Sequence, residues 1–333
     1  MTGVSRRGFI VGAVAAASLA AATHLRAEAQ FNWRLGASQP PDSPNCIRLS
    51  EMAARVREDT GGRVNIEVFA DSKLGSDSAM LEMVQKGGLE LYLGGNVFGP
   101  LVPVSEMPGL PFVFKTPADV FAALDAEVGD FIRSELLAAG LYAFRRGFDN
   151  GFHQITTSTR PIESIDDVYG LKIRTPVQSM NVEYFQSLGA APKPFTLNRL
   201  YSVLRDHIVD AQTDPLGLAL LMKLYEVQTY LSITNHWWSG FTLVANARSW
   251  AALPPDLQAA VNKHAEAAAL AQREDIARLN AHALEALREK DMIVNETDTH
   301  GFRKQLDTFY ARWRGVYGEK AWALLEARTG KLM

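Results

Sequence analysis

Ser164-Ile165-Asp166-Asp167-Val168-Tyr169-Gly170-Leu171-Lys172-Ile173-Arg174-Thr175-Pro176 contains a short strand, Leu171 to Arg174, and leads into a helix, Val177 to Ser187. Gly151 to Thr156 and Ile208 to Gln212 predict further strands on either side, and Gly189, Pro192 and Pro194 punctuate the middle. The same alternation occurs upstream. Trp33 to Ser38 predicts a strand, and Leu49 to Glu58 a helix with Leu49, Met52, Ala53 and Val56 on one face, ended by Gly61-Gly62. Val64 to Val68 is a strand by strict alternation, Ser78 to Lys86 a helix closed by Gly87-Gly88, and Leu89 to Leu93 the next strand. Strand–helix alternation implies an α/β fold with a parallel sheet covered by helices on both faces. Two such units suggest two lobes, with a small ligand in the cleft between them near the carboxyl ends of strands.

The C-terminal part has a different character. From Pro254 to about Lys290 there is no glycine, and no proline after Pro255. Leu257, Val261, Ala265, Ala268, Ala271, Ile276, Leu279, Ala283 and Leu287 follow helical spacing. Pro254-Pro255-Asp256 suits a helix start, and Glu274 with Arg278 makes a favourable i,i+4 pair. At about 1.5 Å per residue such a helix is about 50 Å long. That exceeds one lobe, so the helix is expected to brace both.

At the other end, Ser5-Arg6-Arg7-Gly8-Phe9-Ile10 places a paired arginine before an apolar run, Phe9 to Ala22, too short for a membrane span. Ala27-Glu28-Ala29 has the small-x-small pattern of a cleavage site, so residues 1–29 read as a twin-arginine signal peptide and Gln30 as the first mature residue. The expected location is periplasmic. Of the whole chain, 47% is apolar and 21% charged, with a net charge of −3. Removing residues 1–29 takes away Arg6, Arg7, Arg26 and Glu28, leaving 31 basic and 36 acidic residues, a net −5. No basic stretch accumulates, which argues against nucleic acid and anionic membrane as partners. Cys46 is the lone cysteine, so no internal disulfide and no multi-cysteine zinc site can form; Ser43-Pro44-Asn45 before it rules out a lipid anchor there.

The stretch 164–176 resembles the signature of the solute-binding proteins of tripartite ATP-independent periplasmic (TRAP) transporters, in the dicarboxylate-binding-protein subfamily. Lys73-Leu74-Gly75-Ser76-Asp77, Gly109-Leu110-Pro111-Phe112-Val113-Phe114, Ile208-Val209-Asp210-Ala211-Gln212-Thr213-Asp214-Pro215, Tyr225-Glu226-Val227 and Thr234-Asn235-His236 are similar too, in the family's order. The resemblance runs from about residue 31 to residue 330. It implies a two-lobed periplasmic binding protein clamshell, each lobe a mixed sheet flanked by helices, that closes on an organic acid and delivers it to the membrane subunits of the transporter. The corresponding organisation is lobe one at 30–150, lobe two at 151–238, a return to lobe one at 239–253, and the long helix with C-terminal helices at 254–333.

The resemblance also implies that Arg174 forms a bidentate pair with the ligand carboxylate, a role that its planar guanidinium suits. By spacing alone Arg174 reads rather as an arginine in a surface salt bridge, and it is the resemblance that favours the ligand role. Three departures bear on the ligand. His153 stands where many relatives carry a second arginine, Asp214-Pro215 where they carry asparagine before proline, and Gly95-Asn96 where sugar-acid binders often carry an acid. One fixed positive charge is gone and a negative one is added, so a buried dicarboxylate is poorly compensated. The expected ligand is a monocarboxylate such as a 2-hydroxy or 2-oxo acid, with a ring allowed; a zwitterion with its cation near Asp214 is the alternative. His153 is either a neutral hydrogen-bonding partner, a second cation or a structural imidazole. Trp237 or Trp238 is expected to line the cleft, or both belong to the core or hinge. Ser38, Gln39, Asp77 and Asn96 are expected on lobe-one loops facing the cleft.

Two other classes compete. A binding protein for an ATP-driven transporter is disfavoured by the Leu171–Pro176 segment and the long helix. An exported enzyme is disfavoured because the chain has no Gly-x-Gly-x-x-Gly turn, no Gly-x-Ser-x-Gly elbow and no His-Glu-x-x-His helix. Histidines 153, 207, 236, 264, 282 and 300 are scattered, so no metal, cofactor or catalytic residue is assigned.

Overall fold

Most of the predicted elements form, with their ends moved by a few residues. The computed structural model describes residues 29–95, 97–304 and 306–332. The predicted signal peptide, apart from Ala29, and the candidate Asn96 lie outside the described residues. The strands are β1 (Phe31–Ala37), β2 (Val64–Phe69), β3 (Leu91–Gly94), β4 (Leu141–Ala143), β5 (Phe148–Thr157), β6 (Lys172–Thr175), β7 (Ala191–Pro194), β8 (Ala211–Pro215), β9 (Tyr230–Ile233), β10 (Trp238–Asn246) and β11 (Ile293–Glu296). The helices are α1 (Pro44–Asp59), α2 (Asp77–Lys86), α3 (Pro117–Leu124), α4 (Glu127–Ala138), α5 (Ser179–Ser187), α6 (Leu200–Arg205), α7 (Leu216–Leu221), α8 (Ala247–Ala251), α9 (Pro255–Arg288), α10 (His300–Arg303), α11 (Leu306–Tyr317) and α12 (Glu319–Thr329).

The sheets are mixed rather than wholly parallel. In one half β1 pairs in parallel with β2 and β3, and β10 runs antiparallel to β3 and β4. In the other half β6 lies parallel to β7 and β8, while β5 runs antiparallel to β8 and β9, and β9 is parallel to β11. The antiparallel members are the strands that cross. β5 pairs through Phe148–Phe152 with β10 and through His153–Thr157 with β8, and β10 continues from β5 on to β3. Each of these strands therefore serves both halves. The prolines of β7, which read as punctuation in the sequence, sit in an edge strand, where a missing N–H is tolerated.

Long-range packing explains α9. Its 34 residues begin at Pro255 with Asp256 in the first turn and end with Arg288 in the last, each charge on the favourable end of the helix dipole. Leu257, Val261, Ala265, Ala268 and Ala269 are buried with α1 and the β1–β3 sheet. Leu287, at the far end, is buried with Leu200, Val203, Leu204 and Leu231. Burying each large apolar side chain contributes about 1.5–3 kcal/mol, so one helix is fastened to two separate cores. Ala271 and Leu279 are only half-buried, and the mid-helix contact belongs instead to fully buried Gln272. Its Nε2 donates to Asn45 Oδ1 (2.6 Å) and to the Asp149 carbonyl (2.7 Å), and its Oε1 accepts from the Asp149 amide (2.8 Å). A buried amide is stable only when so satisfied.

Candidate functional site

Where the two crossing strands meet the carboxyl ends of β1 and β6 lies a cavity of about 100 Å³ that opens to solvent. Ser38, Gln39, Asp77 and Gly95 line it from the β1–β3 half. Asn150, His153, Ser239 and Phe241 line it from the crossing strands, and Arg174, Gln178, Phe195 and Asp214 from the other half.

Arg174 is placed by β6, whose only exposed residue is Lys172. The register sets Arg174 opposite Gln212 on β8, and Asp214, two residues further, projects to the same face. Arg174 is 3% exposed, so the surface salt bridge allowed by its spacing does not occur. Its Nη1 donates to Asp214 Oδ2 (3.0 Å) and its Nε to the Phe195 carbonyl (3.0 Å). Among the described residues Nη2 has no hydrogen-bond partner. A guanidinium has five N–H donors in a rigid fork; two are used here as anchors and three remain. Burial raises the Asp214 carboxyl to about 6, against the pull of Arg174. Burial likewise lowers Arg174 from its ordinary value, and Asp214 and Asp77 counteract it.

His153 lies in a buried chain of neutral groups. Its Nε2 pairs with Ser239 Oγ (2.8 Å) and its Nδ1 with Thr213 Oγ1 (3.0 Å). Thr213 Oγ1 also pairs with His236 Nε2 (2.8 Å), and His236 Nδ1 with Thr234 Oγ1 (2.7 Å). Burial, followed by His236 and Arg174, holds His153 well below 6.5, and burial takes His236 down to about 3. Of the readings open for His153, the second cation is therefore excluded at neutral pH.

Ser38 and Gln39 follow β1 directly, and Gln39 Nε2 donates to Ser38 Oγ (2.9 Å). Asp77 is the first residue of α2 rather than a loop residue, and its Oδ1 accepts from Tyr92 Oη (2.7 Å). Neither Trp237 nor Trp238 lines this cavity. Trp238 donates from Nε1 to Asp149 Oδ1 (2.7 Å), meets Phe121 edge-on and borders a neighbouring cavity. Trp237 is buried behind His153 against Tyr184, Phe185 and His236. Trp237 precedes β10 and is held by those rings, whereas for Trp238 the reason is the two-residue period of a strand. Ser239 faces the cavity, so Trp238 must face away.

Gln178, Phe195, Asn150, Ser239 and Phe241 are lining residues that sequence reasoning missed. Gln178 alone had a legible signal, since Pro176 just before it marks the approach to a helix start. It occupies the N-cap of α5, and its Oε1 accepts from Asn181 Nδ2 (2.6 Å). Among the described residues no group of three or more His, Cys, Asp or Glu side chains is arranged to hold a metal ion. No helix among them is long and apolar enough to cross a membrane.

Two lobes joined by crossing strands and braced by one long helix, with a buried arginine at the cleft, define a periplasmic solute-binding clamshell. The pattern of DctP, bacterial extracellular solute-binding protein family 7, matches residues 35–315. The chain belongs to that family, the binding proteins of TRAP transporters, which are not enzymes. It is 31% identical over 253 residues to the 2,3-diketo-L-gulonate-binding periplasmic protein YiaO of Escherichia coli, covering 75% of this chain and 77% of that one. It is 35% identical to the uncharacterized protein y4mM of Sinorhizobium fredii, covering 90% of this chain but only 56% of that longer protein. Among solved structures it is similar to a TRAP solute-binding protein from Polaromonas bound to D-erythronate, with TM-score 0.86, 27% identity and 90% and 100% of the two chains covered. It is equally similar, at TM-score 0.86 and 26% identity over 90% and 98% of the chains, to the sugar-acid-binding protein DctPAm of Advenella mimigardefordensis in complex with galactonate.

Proposed function

We propose that this protein captures a hydroxylated monocarboxylate in the periplasm and hands it to the membrane subunits of a TRAP transporter. One observation carries the reading. The cavity has one buried guanidinium with three N–H groups to spare, and the second basic candidate, His153, is neutral. One carboxylate can be paired there, whereas the second carboxylate of a compact dicarboxylate would be buried unpaired, at a cost of several kcal/mol. Asp77 and Asp214 add negative charge rather than relieve it. The erythronate and galactonate held by the two relatives are hydroxylated monocarboxylates of this description. A zwitterion is the second reading, favoured by Asp77, which accepts from Tyr92 and has no cationic partner among the described residues. Asp214, already paired with Arg174, is not free for that task. With this function go export by the segment 1–29 and a lobe division in which 239–253 returns to the 30–150 lobe and 151–238 forms the other.

The direct test is calorimetry on Arg174→Ala and Arg174→Lys. Arg174→Ala should lose about 3–5 kcal/mol of binding. Arg174→Lys should lose most of the affinity too, because an ammonium cannot supply the fork. Near-native affinity in either variant, with circular dichroism unchanged, would sink the assignment.

A further inference from the structure

Two amides in the cavity are each left with one end unused. Gln39 is 4% exposed and Gln178 3% exposed. Gln39 is tied through Nε2 to Ser38, and Gln178 through Oε1 to Asn181. The opposite atoms, Gln39 Oε1 and Gln178 Nε2, are buried with no hydrogen-bond partner. Both side chains line the same cavity as Arg174. Buried polar atoms are almost always paired, and an unpaired one is an exception that asks for a reason.

We infer that Gln39 and Gln178 form the hydroxyl-reading part of the site, selecting a ligand whose carboxylate lies on Arg174 and whose hydroxyl meets the two amides. The inference rests on the carboxylate reading above and specifies its ligand further. A hydroxyl donates one hydrogen bond and accepts others, so it satisfies an acceptor and a donor together. An ammonium only donates, and a ketone only accepts. A methylene does neither and leaves both amides unpaired, the situation in which a polar pocket rejects an analogue most strongly. The selection also follows from position. Gln39 stands at the end of β1 and Gln178 at the start of α5, on opposite halves of the molecule. A hydroxyl held by both is a contact that only the closed arrangement provides.

The test uses acids of one chain length: butyrate, the 2-, 3- and 4-hydroxybutyrates, 4-aminobutyrate and D-erythronate, measured by calorimetry. Wild type should prefer D-erythronate and at least one hydroxybutyrate over butyrate by about 10–100-fold, the effect of leaving a buried group unpaired. Gln39→Leu and Gln178→Leu should each narrow that ratio by about tenfold. Gln39→Met and Gln178→Met replace any leucine variant that melts early. If wild type binds butyrate as well as the hydroxy acids, or if the variants keep the full ratio, the inference is overturned while the carboxylate reading stands. If none of these acids binds wild type, or if D-erythronate binds Arg174→Ala as it binds wild type, the carboxylate reading falls and takes the inference with it.

Discussion

Charge at the site comes down to how a single guanidinium is shared. Asp214 takes one N–H of Arg174, and burial raises the Asp214 carboxyl to about 6. A ligand carboxylate competes with Asp214 for the same cation, so binding should raise Asp214 further. The sign then follows. A group that binds its proton more tightly in the complex makes affinity rise as pH falls from its raised value in the complex to about 6, and level off below that. Between about pH 8 and about pH 5, affinity should increase about tenfold for each unit by which the ligand raises Asp214. His236, taken down to about 3 by burial, contributes nothing over that range, and burial likewise holds His153 below its ordinary value. Asp214→Asn keeps a hydrogen-bond acceptor for Arg174 and removes the competing charge. It should bind the acid at least as tightly at about pH 8 and show a flat profile. Calorimetry across pH, in buffers of different ionisation enthalpy, checks both the slope and the proton uptake. A sloping Asp214→Asn profile would refute the account.

At the level of elements, the site depends on where β5 passes under α9. Gly151 has φ +113°, which an L side chain rarely adopts, and an added Cβ would lie 2.5 Å from Asn280 Nδ2. Asn280 in turn accepts from the Gly217 amide (2.8 Å) and donates to the Asn150 carbonyl (3.2 Å). A clash there would push α9 away from the strand that carries Asn150 and His153 to the cavity. Gly151→Ala should therefore cost about 1–3 kcal/mol for backbone strain alone, with the clash in addition. Gly140→Ala isolates the backbone part, since Gly140 has φ +87° and nothing within 4 Å of the added Cβ. Denaturant midpoints should fall further for Gly151→Ala, and equal losses would show that Asn280 gives way freely.

Over the whole molecule, α9 has one end in each of two cores, and β5 and β10 are the strands that cross between the halves. A ligand touching both halves stabilises the closed arrangement by its differential contacts. Small-angle scattering should show a smaller radius of gyration with saturating D-erythronate than without it, and Arg174→Ala should abolish the change. An unchanged radius in the wild type would count against closure about these strands.

Local pattern was enough for much of this. Alternation and helical spacing placed β1, β2, α1, α2 and α9, because those periods are properties of neighbouring residues. The segment 164–176 was similar enough to one family to single out Arg174. Other features depended on partners far along the chain. Strand–helix alternation gave the parallel pairs among β1, β2 and β3, but the antiparallel members of the mixed sheets that the family resemblance implied, β5 and β10, take their direction from pairing with two sheets at once. The strand expected at Ile208–Gln212 forms at Ala211–Pro215, which carries Asp214 into the strand beside Arg174. That pairing, between residues 40 apart, changed Asp214 from a free negative charge into the anchor of the guanidinium. One of Trp237 and Trp238 was expected in the cleft, but strand alternation turns Trp238 away from the face of Ser239, and Trp237, just before β10, is held in the core by Tyr184, Phe185 and His236. Gln39 and Gln178 carry ordinary polar side chains, and only burial without a partner distinguishes them. Sequence by itself determined the strongly periodic elements, the family and the cation; tertiary structure decided what that cation is paired with and which amides are left unpaired, because charge sharing and burial depend on contacts between residues remote in the chain.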